Sequence, residues 1–449
     1  MAFCSFTFLL FFMPAVLLGY RFLPDRAKRP FLFCASLVFY GWGMPAWLIL
    51  LLYIMILDYA GALLMDRFHE KKKMILAVLV VLNLLPLGWF KYAAFLNETL
   101  AALTGVSLMK DSPLLPAGIS FFTFQGMSYL IDVYRGDAKV QRKFVLFGVY
   151  LSMFPQLVAG PIVRYTDLEA QLENPAEVSN AAMRDGLNRF SVGLAKKLLL
   201  ADTMGRFWGS ISGGLADAGA VGAWLGLMAF SFQIFFDFSG YSDMALGLGK
   251  AMGFTFPENF DRPYRAKSLT EFWRRWHMSL TTWFREYVYI PLGGNRQGGA
   301  RRNLNIMIVW ALTGLWHGAG WNFVLWGIWF GVLLIAEKKW ILGKAWAERL
   351  PGWLRQVLTY LPVLLGWGMF TGKWQVFPAM AGVYGLAPSA GAALECAAFL
   401  PMLLVCMAVS FLPPLKIPDT VKKAAPLLLV LCLAALAAQG YAPFVYFQF

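Results

Sequence analysis

Two of the three histidines in this chain stand where an imidazole is costly to place. His317 lies in Gly314-Leu-Trp-His-Gly-Ala-Gly-Trp-Asn322, at the join of two apolar runs. Ionisable groups at membrane depth are expensive and face protein or water rather than lipid. A helical backbone there puts Thr313, His317 and Trp321 on one face, at i, i+4 and i+8. A neutral imidazole in such a place can serve as a general base. Trp316 and Trp321 would wall the site, and Asn322 is a candidate hydrogen-bond donor to a developing oxyanion. The plainer alternative is a histidine hydrogen-bonded to a nearby carbonyl, the commoner case for a single residue of this kind.

His277 belongs to a second constellation. Ser268-Leu-Thr-Glu271 matches a capping box, Ser at N-cap and Glu three residues on. The helix expected after it is amphipathic. Phe272, Trp273, Trp276, Leu280, Trp283, Phe284 and Tyr287 form a broad apolar face, and Arg274, Arg275, Thr281, Thr282 and Arg285 lie mostly opposite. Such a pattern suits a helix lying in the headgroup region. Membrane anchoring explains the stripe but not His277, which falls on its inward side. Arg274, Arg275 and Arg285 could pair with phosphate groups, since arginine offers bidentate contacts. Trp273 and Trp276 would shape the same site. Third, Asp237 and Tyr241 are helical neighbours in Phe236-Asp-Phe-Ser-Gly-Tyr-Ser-Asp243, inside an apolar run. These acids could bind an arginine of the basic segment or line a water-filled path, and Asp58 and Asp132 are weaker cases. His69, in a basic loop, reads as a solvated residue.

Other chemistries find little support. There is no Walker A loop, GxSxG elbow or HExxH, and no spacing argues for a Ser-His-Asp triad. Five cysteines occur and none forms a CxxC, so neither a disulfide framework nor a metal site is expected. No tightly bound cofactor is implied.

The elements that must position these residues are membrane helices. Of 449 residues, 59% are hydrophobic and 14% charged, far from the composition of soluble domains. The net charge of +14 comes from lysines and arginines in short loops between apolar runs. That is the positive-inside pattern, with anionic lipid rather than nucleic acid as neighbour. The runs give about 11 spans, in a single membrane domain, residues 1–449. The first span is Phe3–Tyr20, without the basic start or cleavage site of a signal peptide. A hairpin breaks at Gly41 to Pro45. Met74–Phe90 follows, then Leu114–Val133, interrupted by Pro116, Gly118 and Gly126 and expected to be broken or re-entrant. Further spans are expected at Phe144–Val158, Phe190–Leu200, Ala220–Leu248, Leu304–Leu315, Trp321–Ala336, Val357–Phe370, Ala392–Leu412 and Ala424–Ala438. Gly314 with Gly318, and Gly327 with Gly331, are small-xxx-small pairs that let helices approach. The polar stretch 250–303 reads as a basic, cytoplasm-facing or interfacial segment. The basic loops Arg21 to Arg29 and Asp66 to Lys73 place the N-terminus outside the cytoplasm.

A longer series of motifs carries a family resemblance. Phe238-Ser-Gly-Tyr-Ser-Asp243, Pro257-Glu-Asn-Phe260, Pro263-Tyr264, Phe272-Trp-Arg-Arg-Trp-His277, Tyr287-Val-Tyr-Ile-Pro-Leu-Gly-Gly-Asn-Arg296 and Gly314-Leu-Trp-His-Gly318 together resemble the membrane-bound O-acyltransferase (MBOAT) family. The likeness is greatest to its bacterial branch of alginate O-acetyltransferase (AlgI-like) and D-alanyl transferase (DltB-like) chains, the AlgI-like ones above all. It spans nearly the whole chain, including Pro443-Phe-Val-Tyr-Phe-Gln-Phe449 at the end.

The resemblance implies an all-α polytopic fold of spans with re-entrant and interfacial helices, ringed around a central funnel. It matches His317 to the family's catalytic histidine and His277 to a second polar position. It implies O-acyl transfer, most simply acetyl, from acetyl-CoA or an acyl-carrier thioester toward cell-envelope polysaccharide or peptidoglycan, in a bacterial inner membrane. A membrane-anchored or secreted SGNH-type acetyltransferase would complete the transfer, and a cytosolic carrier protein is the other conceivable partner. Two alternatives stay open: D-alanyl transfer to teichoic acid, and a transporter or flippase without chemistry, although no internal repeat supports the latter. One position departs from the pattern. AlgI-like chains tend to carry Trp-x-x-Phe-Arg late in the sequence, where this one has Trp367-Gly-Met-Phe-Thr371.

Overall fold

The computed structural model describes residues 1–109, 111–174, 178–413, 425–439 and 444, and the side chains of all of these except 425, 426 and 439. Among them every regular element is helical and there is no strand. The expected membrane domain is organised as two compact units, Met1–Phe190 with Ser242–Glu258, and Ser191–Tyr241 with Asn259–Phe449.

In the first unit a π-helical turn, Phe8–Phe12, leads into α1 (Met13–Phe22), followed by α2 (Asp25–Gly41) and α3 (Ala46–Arg67). The hairpin break falls at Gly41 to Pro45, where proline and glycine end a helix. Next come α4 (Lys72–Leu87) and α5 (Ala93–Thr104), which join through a π-helical turn. After them stand α6 (Ile119–Arg135), α7 (Phe144–Ser152), α8 (Tyr165–Glu173) and α9 (Asn180–Ala195). Three expectations need correction here. The stretch Leu114–Val133 is not broken within its helix: α6 starts after Gly118 and runs straight through Gly126. Glycine stands at 126 because a Cβ there would collide with the Asp58 carboxylate, itself buried and bonded to Asn83 Nδ2 at 2.7 Å. The expected span Phe144–Val158 is a nine-residue helix, too short to cross a bilayer, because residues 153–160 turn. The basic loop Arg21 to Arg29 is mostly the first turns of α2. Arg29 is buried, donating to the Gln171 and Leu172 carbonyls at the end of α8, where a helix has spare acceptors.

In the second unit a π-helical stretch, Lys196–Ala201, leads to α10 (Asp202–Gly213). Helix α11 (Leu215–Ala251) bends at Gly219, with φ 56 and ψ −173. The polar segment 250–303 holds α12 (Leu269–Arg275) and α13 (Met278–Phe284). Then follow α14 (Gly298–His317), α15 (Trp321–Trp340), α16 (Ala345–Glu348), α17 (Gly352–Phe370), α18 (Val376–Met380), α19 (Ala390–Phe411) and α20 (Ala425–Gln439). The single amphipathic helix expected after Ser268 is thus two helices. The Ser268 cap is present, its Oγ accepting from the Glu271 N–H at 3.0 Å. The Glu271 carboxylate reaches back to the Lys267 N–H, one residue earlier than the box requires. The aromatic stripe does not lie in headgroups: Phe272, Trp273, Trp276, Leu280, Trp283, Phe284 and Tyr287 are all buried in protein. Ring packing explains why, with Trp273 edge-on to Trp310 at 4.6 Å and to Phe330 at 4.7 Å.

Helices α14 and α15 form the closest hairpin of this unit. The approach is between Gly314 and Gly327, across the two helices, rather than within the sequence pairs. A Cβ on Gly314 would strike the Phe323 carbonyl, and one on Gly327 the Trp310 carbonyl. Five described helices are long and apolar enough to cross a membrane: Ala46–Arg67, His69–Thr104, Leu215–Ala251, Trp321–Trp340 and Ala390–Phe411. Phe8–Phe22 and Leu427–Ala438 are shorter apolar helices. The other expected spans are not distinguished by length and apolarity. Exposed Ile49, Leu394, Leu404, Leu427 and Val430 give these helices the apolar outer surface that lipid requires. Of the C-terminal motif only Phe444 lies among the described residues.

Candidate active site

The site is built on a backbone irregularity. His277, between α12 and α13, has φ 44 and ψ 55, the left-handed region, which costs a residue with a Cβ about 1–2 kcal/mol. Two backbone bonds hold it there. The Met278 N–H donates to the Asn259 carbonyl at 2.9 Å, and the Asp261 N–H to the Arg275 carbonyl at 2.9 Å. The turn swings the His277 ring inward, to 2% exposure. His277 lies outside the apolar spans, and burial pushes its pKa down to about 3, so the ring is neutral.

His317 arrives from the other side as the last residue of α14, 7% exposed. Gly318 follows in an extended conformation, and the chain turns before α15. The two imidazole centroids are 6.4 Å apart. At that spacing one oxygen can lie within hydrogen-bond reach of both rings. Trp316 touches both, at 5.6 Å from His277 and 5.1 Å from His317. Trp326 at 5.0 Å and Phe370 at 5.6 Å stand edge-on to His317, and Phe238 stands edge-on to His277 at 4.6 Å.

Two cavities meet here. The inner one, about 80 Å³, is lined by both histidines with Trp273, Trp276, Thr313 and Phe284 among its walls. The outer one, about 210 Å³, is lined by Arg274, Arg285, Lys338, Tyr289 and Thr270, and Arg285 pairs with the neighbouring Glu286 at 2.6 Å. Trp273, Thr281, Val309 and Trp310 line both, so the two spaces share one partition. Glu337 sets its position. Its carboxylate, 4% exposed, accepts from the Leu269 and Thr270 N–H groups at 2.6 and 2.8 Å and from the Thr270 hydroxyl at 2.7 Å. It thereby ties the start of α12 to α15 and satisfies donors that a helix start leaves open.

Among the residues singled out from sequence, the structure brings His277, His317, Trp273 and Trp276 onto the inner cavity, and Arg274 and Arg285 onto the outer one. Trp316 packs behind both imidazoles. Trp321 does not join them: α14 ends at His317, so the i+8 extrapolation runs past the helix, and Trp321 is 58% exposed. Asn322 lines neither cavity, and its Nδ2 gives one of its two hydrogens to the Phe370 carbonyl at 3.0 Å. Arg275 pairs with Glu271 at 2.7 Å and lines neither cavity. Asp237 pairs with Lys197 at 2.8 Å, and Lys197 also reaches Asp202 at 2.7 Å. Tyr241 is buried against Phe444, their rings 5.1 Å apart. Thr371 bonds locally, donating to the Gly368 carbonyl at 2.7 Å. A cation follows two residues later, Lys373, whose Nζ donates to Ser212 Oγ at 2.7 Å.

Glu337, Lys338, Trp310 and the Asn259 contact with His277 were not singled out from the sequence. An acid and a lysine ending an apolar run were the available signal for the first two. The partners of Glu337 are Leu269 and Thr270, a separation that spacing does not reveal.

Comparison with known proteins bears on this arrangement. Residues 72–381 match the sequence model of MBOAT, the membrane-bound O-acyltransferase family. The chain is 39% identical over 394 residues to the probable alginate O-acetylase AlgI of Pseudomonas aeruginosa, a match covering 85% of this chain and 75% of that protein. It is 32% identical to the peptidoglycan O-acetyltransferase of Helicobacter pylori, over 84% of this chain and 79% of that one. It is 28% identical to the teichoic acid D-alanyltransferase of Bacillus subtilis, over 57% of this chain and 68% of that one.

Proposed function

We propose that this chain, which belongs to the membrane-bound O-acyltransferase family, moves an acetyl group from a cytosolic thioester toward cell-envelope polysaccharide or peptidoglycan. One observation carries the proposal: two buried imidazoles on a small cavity that shares a wall with a larger, cation-lined one. The outer cavity suits the phosphates of acetyl-CoA or of a carrier's phosphopantetheine, with Arg274, Arg285 and Lys338 as counter-charges. The inner cavity, about 80 Å³, suits a short acyl group and not a long chain.

In this mechanism His317 takes the proton of an acceptor hydroxyl as its oxygen attacks the thioester carbonyl. The tetrahedral intermediate collapses, the C–S bond breaks, and the thiolate leaves with the proton that His317 holds. The oxyanion needs a donor. Trp273 Nε1 is a buried N–H without an acceptor among the described residues, on a ring lining both cavities, and it takes the part that sequence assigned to Asn322. Greater similarity to alginate O-acetylases than to D-alanyltransferases favours acetyl over D-alanyl. The enzyme works in the inner membrane with its N-terminus outside, as the basic stretch Asp66 to Lys73 suggests. An SGNH-type partner passes the acetyl group to polymer.

The proposal is tested by offering radiolabelled acetyl-CoA, or D-alanine on a carrier protein, to membranes holding the chain and its partner. Label in envelope polymer or partner from acetyl-CoA is expected. Label from the D-alanyl carrier alone would replace the acetyl assignment with the aminoacyl one.

A further inference from the structure

We infer that Asn259 is a positioning residue of the site, holding His277 in the tautomer that offers Nε2 as an acceptor on the cavity it shares with His317. The inference rests on acyl transfer at that cavity. Its ground is the set of groups converging on one oxygen. Asn259, in the loop between α11 and α12, is 1% exposed. Its Oδ1 meets the Ser279 N–H at 3.2 Å, Ser279 Oγ at 2.9 Å and His277 Nδ1 at 3.2 Å.

A backbone N–H can only donate, which fixes the amide with its oxygen toward α13. That oxygen has no hydrogen to give, so His277 Nδ1 must carry one. A neutral imidazole protonated at Nδ1 has its lone pair on Nε2, at the other edge of the ring. Burial favours that neutral form. The ring lines the inner cavity together with His317, and in this tautomer Nε2 accepts a hydrogen bond or a proton rather than donating one. Carbonyl oxygens fix histidine tautomers in this way at many catalytic sites. The same residue also sets the backbone, since its carbonyl accepts from the Met278 N–H next to the left-handed turn. The described rings facing His277 include Phe238, Phe260, Trp316 and His317, of which only His317 is an ionisable side chain.

The test is a double-mutant cycle in proteoliposomes given radiolabelled acetyl-CoA and the acceptor partner. It uses Asn259→Leu, His277→Gln and the two combined, with His317→Ala alongside. We expect Asn259→Leu to lower kcat about 10-fold or more while the donor KM stays within about 3-fold, and to cost nothing further once His277 is glutamine. A merely structural Asn259 would cost the same in both backgrounds, so additive losses overturn the inference. A His277→Gln variant as fast as wild type overturns it too. Should Asn259→Leu fail to accumulate, Asn259→Asp decides. A carboxylate facing Nδ1–H stabilises the imidazolium and moves the acid limb of the kcat profile up by about one unit or more, and an unmoved limb overturns the inference. Activity in His317→Ala strikes the underlying assignment instead and is scored separately.

Discussion

At the scale of the residue, two histidines and one indole are the groups proposed to carry the chemistry. His277 and His317 could be picked out from sequence because a polar ring in an apolar setting demands an explanation. Trp321 and Asn322 were misplaced for a reason also written in the chain: Gly318-Ala-Gly320 ends the helix whose period was being extended. Asn259 was not legible as a partner, because nothing in the spacing from 259 to 277 indicates that a loop amide meets an imidazole. The Trp273 assignment makes a prediction at this scale. Trp273→Phe keeps most of the ring packing and removes only the Nε1–H. It should lower kcat by about 100-fold with little change in the donor KM, as loss of an oxyanion donor does. Steady-state transfer with radiolabelled donor checks this, and an unchanged kcat would send the oxyanion elsewhere.

At the scale of the element, the hairpin of α14 and α15 and the cap on α12 hold the site. Gly314 lies against the Phe323 carbonyl, so Gly314→Ala must push the helices apart and displace His317. The expected cost is about 1–3 kcal/mol, seen as a lower unfolding midpoint in detergent together with lost transfer. Gly299→Ala, in the first turn of the same helix with nothing within 4 Å, is the contrast and should leave the midpoint unchanged or raised. Glu337→Ala leaves three donors at the start of α12 without their acceptor. It should cost about 3 kcal/mol, and Trp273 and His277 should lose their registration, so transfer falls with stability. The capping serine was visible in the sequence, but the break at His277 was not. Trp276-His277 contains neither glycine nor proline, and the left-handed turn exists only because a distant loop bonds across it.

At the scale of the whole molecule, composition announced a membrane protein, and the motif series its family. The span count was less readable. Apolar runs such as Phe144–Val158 look like spans, yet a nine-residue helix and a buried turn use the same residues. The charge of +14 is partly structural, as buried Arg29 and Lys197 show, and partly spent on the outer cavity. That division predicts a donor-binding phenotype. Combined Arg274→Gln and Arg285→Gln should raise the acetyl-CoA KM about 10-fold or more with kcat within about 3-fold. The wild-type KM should rise with ionic strength more steeply than that of the variant. A variant with unchanged KM would place the donor phosphates elsewhere.

The most direct test of the account is acetyl transfer by His317→Ala, measured in vesicles with radiolabelled acetyl-CoA and the acceptor partner, beside wild type at equal membrane abundance. The account predicts that the variant inserts normally and transfers no label above background. Transfer near the wild-type rate would contradict it, because no other residue has been given the task of taking the acceptor's proton.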